Sequence, residues 1–200
     1  MKINNLIKFL TFSDIIVISG WGLINPIFAV FVTGQIKGGS IELVGLASSV
    51  YFVTRSVLQI PFARFIDRKK GEIDDFVVMA AGSFLVATIP FCYIFASTNV
   101  HLLLFQGLYG LGSAMALPGW LAIFTRHIDK NKEAEEWAFY SAMVGLSAAL
   151  AGALGGFLAE TFGFRFLFLI VGIICTFGSS FLFFVYQDLR LEEKKLKTKN

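Results

Sequence analysis

Positions 61–75, PFARFIDRKKGEIDD, gather four acidic and four basic side chains in fifteen residues, although only 16% of the chain is charged. Such a cluster is either a solvated turn between apolar segments or part of a working device. Two other charges stand inside apolar surroundings, where each needs a partner or a purpose. Arg55 lies about 7–10 residues before the end of an apolar run, roughly 10–15 Å deep at the helical rise. Asp14 is the nearest acid by depth. An Asp14–Arg55 pair facing a bundle interior is suited to proton coupling. The other reading has Arg55 snorkelling to head groups and Asp14 capping the first helix. The isolated His101 and His127 have no zinc-ligand spacing. Cys92 and Cys175 fall within apolar runs and read as small packing residues. Glu133, Glu135 and Glu136 read as a solvated charge run. No Gly-x-x-x-x-Gly-Lys phosphate loop exists, so neither an enzyme nor an ATP-driven pump is expected. No cofactor or metal is expected either.

The elements that carry these residues are long and oily. Of the 200 residues 56% are hydrophobic, 23 of them phenylalanine, and mean hydropathy is +0.72. A soluble domain would carry about 25% charged residues. The apolar residues form runs of about twenty, the length that crosses a bilayer as a helix. Six runs are expected, over 9–32, 43–62, 76–96, 100–124, 138–160 and 165–187, followed by a polar tail at 188–200. Backbone groups find no partner in lipid, so each run must close its own hydrogen bonds as a helix. The predicted class is therefore an all-α integral membrane protein with six transmembrane helices.

Charge placement orients it. If the connections alternate sides, 14 of the 17 Lys and Arg lie on one side, among them Lys2, Lys8, Arg64, Arg68, Lys69, Lys70, Arg126, Lys130 and Lys132. Lys37 and Arg165 fall on the other side. The positive-inside rule then puts both termini in the cytoplasm of a plasma (inner) membrane. The mixed charges of the tail LRLEEKKLKTKN give no reason to expect a nucleic-acid partner.

A faint internal repeat is present. Ala63-x-x-x-Asp67 closes the second run and Gly156-x-x-x-Glu160 the fifth, an offset of 93. Pro26 in the first run and Pro118 in the fourth are offset by 92. The fold expected is two inverted three-helix units.

Ala63, Asp67, Arg68 and Gly71, placed between the second and third spans, resemble the G-x-x-x-D-R-x-G loop signature of the major facilitator superfamily. FQGLYGLGSAMALPGW at 105–120 is similar to that family's fourth helix. GLSAALAGALGG at 145–156 is similar to the glycine-rich fifth helix of its drug:proton antiporter branches. Ala63 replaces a glycine, Gly71 comes one residue late, and Glu72 stands where a base is usual. Ala153 stands where proline is frequent, and Leu103 where a span-four arginine is frequent, with His101 the nearest base. The resemblance implies the amino-terminal six-helix half of such a transporter, in which Asp67 latches the inward side closed.

A half of this kind is expected to move a small solute by alternating access, as a homodimer or with a separately encoded second half, in a lipid bilayer. The alternatives are a non-transporting scaffold or partner-binding module, or a truncated transporter fragment. Small residues at Gly145, Ala149, Gly152, Gly155 and Gly156 suit a tight helix-packing seam. Asn25, Gln59, Gln106 and Tyr109, with Trp21, Tyr51, Trp120 and Tyr140, are the candidates to line a cavity.

Overall fold

A computed structural model of the chain describes residues 5–68 and 71–197. Lys2, Lys69, Lys70 and Lys199 lie outside the described residues. Those described form α1 (Asn5–Ile24), a 3₁₀ turn (Asn25–Ile27), α2 (Phe28–Gln35), α3 (Ile41–Arg68), α4 (Glu72–Tyr93), α5 (Asn99–His127), α6 (Glu133–Phe162), α7 (Phe164–Ser180) and α8 (Leu182–Lys197). No strand occurs among them, and six helical segments are long and apolar enough to cross a membrane: Leu6–Gln35, Ile41–Arg68, Glu72–Tyr93, Asn99–His127, Glu133–Phe162 and Phe164–Leu191.

The interruptions have local causes. Pro26 lacks an N–H and its ring crowds the preceding turn, so the first span breaks into the 3₁₀ turn between α1 and α2. Thr98 caps α5, its hydroxyl accepting the His101 N–H at 3.3 Å. Gly163 alone joins α6 to α7, at φ +83°, in the left-handed range where glycine is at ease. The sixth span bends at Phe181 between α7 and α8, and α8 carries the helix through the polar tail as far as Lys197.

The main helix contacts run α3 to α5, α5 to α4, α4 to α7, α7 to α1 and α1 to α6. Exchange the first three spans for the last three, so that α1 becomes α5, α3 becomes α6 and α4 becomes α7. The contact pattern maps onto itself. The contacts thus fit two three-helix units, and three crossings per unit make the second enter from the opposite side. Glycines let the backbones meet. A Cβ on Gly82 of α4 would lie 2.5 Å from the Gly112 carbonyl oxygen of α5.

Two apolar cores fill the bundle. One gathers Trp21, Phe31, Tyr93, Leu102 and Phe168; the other gathers Leu10, Met79, Trp120, Phe124 and Val185. Burial is uneven between spans. Only 11% of the apolar stretch is buried in α3, and the same in α6, against 28–44% in the other four. These two helices are peripheral, each packed chiefly against a single other helix, α5 or α1.

Candidate functional site

A cavity of about 480 Å³ opens between α1, α3, α5 and α6. Its floor is aromatic: the Trp21 and Tyr109 rings stack with centroids 4.1 Å apart and an interplanar angle of 3°. Tyr51 lies against Tyr109 at 4.4 Å. Tyr51 and Arg55 occupy one face of α3, four residues apart, and Arg55 Nη1 donates to the Tyr51 hydroxyl at 3.2 Å. That hydroxyl in turn points to Ser113 Oγ of α5 at 3.5 Å. The Arg55 side chain is thereby drawn one turn back along its own helix, into the cavity and away from the Arg68 end of the span.

Asp14 faces the same cavity from α1. Its Oδ2 accepts a hydrogen bond from the Tyr140 hydroxyl of α6. Asp14 and Arg55 form no ion pair, and Asp14 lies mid-helix rather than at a cap. Both readings of these two residues are corrected: each is held by a tyrosine on its own wall. The cavity therefore presents a guanidinium and a carboxyl group that do not neutralise each other. Among the remaining wall residues are Asn25, Trp120 of α5 and Trp137 of α6, and Ser13 and Ser83 add hydroxyls.

The signature loop sits at the end of α3. Asp67 and Arg68 are exposed there, Ala63 is half-buried, and Gly71 is exposed with nothing within 4 Å of an added Cβ. Asp67 has no hydrogen bond or ion pair among the described residues.

A model of the Major Facilitator Superfamily matches residues 10–200. The chain belongs to that superfamily. The chain is also 30% identical over 147 residues to the inner membrane transport protein YajR of Escherichia coli (strain K12). That match covers 72% of this chain and 30% of YajR, so it spans under a third of the relative's length. Together with the six apolar helices, membership makes the chain a multi-pass membrane protein.

Within this Major Facilitator half, several expected site residues stand elsewhere. Gln59 is half-buried on α3 and Gln106 is buried in α5, and neither lines the cavity. His101 is exposed at the start of α5, its Nδ1 3.5 Å from Ser97 Oγ. The packing seam of α6 is displaced by a fraction of a turn. Gly155 meets Leu23 of α1, Gly152 meets Pro26, and Ala148 and Ala151 meet Gly22. Gly145 and Gly156 touch nothing within 4 Å of an added Cβ, and Ala149 is exposed. Ala148 and Ala151 fit because they face Gly22, so the seam keeps Gly152 and Gly155 of the expected residues and replaces Gly145, Ala149 and Gly156 with these two alanines.

Two features escaped the sequence reading. Asp75, buried in the first turn of α4, pairs with Arg126 in the last turn of α5. Glu72 adds contacts to Arg126 at 3.8 Å and to His127 Nε2 at 3.5 Å. Acids at a helix start and bases at a helix end both suit the helix dipole, which was the available signal. The second is Glu136. It is 3% exposed in the first turn of α6 and not part of a solvated run, although Glu133 and Glu135 are exposed.

Proposed function

We propose that this chain forms one half of a secondary transporter, which moves a small amphipathic solute by alternating access. A second six-helix body, whether another copy, a separate subunit or the remainder of a longer chain, closes the cavity. One observation carries the reading: Asp14 and Arg55 line a common aromatic cavity without pairing. An unpaired charge at membrane depth is costly, and a solute or a coupled proton offers what each lacks. The Trp21–Tyr109 stack supplies an apolar face for the solute body, and Arg55 supplies donors for an acidic or polar group. Asp14, hydrogen-bonded by Tyr140, is the group that exchanges a proton as the halves rock.

The exposed helices α3 and α6 border the second body, and Asp67 is its latch. With 14 of the 17 Lys and Arg on one side, both termini and the 61–75 segment face the cytoplasm of the plasma (inner) membrane. The test is reconstitution into vesicles that carry a pH-sensitive dye, with the chain alone and with any separately encoded partner. Solutes that drive proton movement in wild type should drive none in Asp14→Asn, while solute exchange at equal concentrations persists. Undiminished proton flux in Asp14→Asn would end the coupling assignment. Crosslinking that finds only monomer in membranes, together with flux from the chain alone, would end the two-body reading.

A further inference from the structure

A second, smaller pocket of about 180 Å³ lies at the start of α1 and α6, outside the central cavity. Glu136 is set in its wall, 3% exposed, and neither carboxylate oxygen has a hydrogen-bond partner. The first turn of α6 favours negative charge through the helix dipole, but it gives those oxygens no donor. A buried charge without a donor or counter-ion is among the costliest groups a protein can hold. We propose that this pocket binds an organic ammonium ion, whose charge rests against Glu136.

The rest of the wall selects the class of cation. Phe12, Phe124, Phe139, Met143 and Ile7 surround the carboxylate with carbon, and aromatic faces attract an alkylated cation. A hard metal ion needs about six to eight oxygen ligands. The described residues offer no group of three or more His, Cys, Asp or Glu. Protonating Glu136 would remove its charge but leave an O–H and a C=O without partners. At 180 Å³ the pocket is several times the volume of a water, about 30 Å³ in the liquid, and admits a head group with a short tail. Lys8 also lines it without donating to either oxygen. Tyr140 is shared with the central cavity, where its hydroxyl is given to Asp14. The site is thus separate from, and adjacent to, the proposed solute path, and does not depend on transport.

Calorimetry on the chain in phosphatidylglycerol nanodiscs, which contain no amine, tests this with butyltrimethylammonium and with butanesulfonate as the charge-reversed control. Wild type should bind the ammonium and not the sulfonate. Glu136→Gln should weaken binding by about tenfold or more, the scale of a charge-assisted contact. Its melting temperature should stay level or rise, because the change keeps the shape and removes the buried charge. Equal binding by Glu136→Gln, or no binding by wild type, overturns the proposal. So does binding seen only in Lys8→Met, since the occupant would then be the chain's own ammonium. Repeating the titration with phosphatidylethanolamine discs identifies the source. Competition marks a lipid head group and its absence a soluble amine, and either upholds the ammonium chemistry.

Discussion

Two adjacent glycines of α6 should respond in opposite directions to the same substitution. A Cβ on Gly155 would lie 2.0 Å from the Leu23 carbonyl oxygen and 2.7 Å from its carbon. Ordinary C···O contact begins at about 3.3 Å, so α1 and α6 must part by roughly 1.3 Å. The obstacle is backbone held in a helix, which cannot rotate aside as a side chain would. Overpacking costs about 1–3 kcal/mol, and here its upper end applies because the Gly152–Pro26 and Ala151–Gly22 contacts open as well. Alanine returns about 1 kcal/mol in helix propensity, leaving Gly155→Ala about 2 kcal/mol less stable. Gly156→Ala meets nothing within 4 Å and keeps only the gain. The two variants should differ by about 3 kcal/mol, or about 6–12 °C in Tm for a chain of this length. A thiol-reactive dye reads the melt in detergent, because Cys175 is fully buried between α1 and α7 until the bundle opens. Equal melting temperatures, or a lower one for Gly156→Ala, would refute the packing of α6 through Gly155.

Three further outcomes are expected. Arg126→Met strands the buried Asp75 carboxylate and should cost about 3 kcal/mol, at the low end for a broken buried pair because Arg126 is 44% exposed. Asp75→Asn should cost less, and the double variant should melt above Arg126→Met. Arg55→Lys replaces a planar fork with a point charge and should weaken solute binding by about tenfold without lowering the melting temperature; unchanged affinity would remove Arg55 from the site. A cysteine at position 67, with Cys92 and Cys175 changed to serine, should react with an impermeant maleimide in inside-out vesicles and not in intact cells.

The architecture was legible because lipid leaves the backbone one economical solution. Runs of about twenty apolar residues must be helices, and the described residues hold six helical segments long and apolar enough to cross a membrane. The repeat was legible through Pro26 and Pro118 and through the small-residue-to-acid closures of α3 and α6. What sequence could not supply was rotation about each helix axis. A span that is apolar all round has no moment to show which side faces its neighbour. Of the seam suggested by the small residues of α6, Gly152 and Gly155 make the contact, whereas Ala148 and Ala151 stand in for Gly145, Ala149 and Gly156. The same blindness affected the charges. Asp14 and Arg55 line one cavity, but tyrosines at 140 and 51 lie where each satisfies one of them. Glu136 was read with its exposed neighbours because three acids within four residues look alike until the helix turns one of them inward.

The peripheral position of α3 and α6 bears on these charges. In the self-symmetric contact pattern, α3 and α6 occupy equivalent places, each packed chiefly against a single central helix, α5 or α1. Arg55 rides on α3 and Tyr140, which holds Asp14, rides on α6. The two groups that fix the unpaired charges thus belong to the least buried helices, those that a second body would press or release. A shift of α3 against α5 would carry the Arg55–Tyr51 bond along and disturb only the 3.5 Å contact of Tyr51 with Ser113, whereas a shift of α6 against α1 would disturb the Tyr140–Asp14 bond. If the proposed second body moves α6 against α1, that single hydrogen bond is what ties its movement to Asp14.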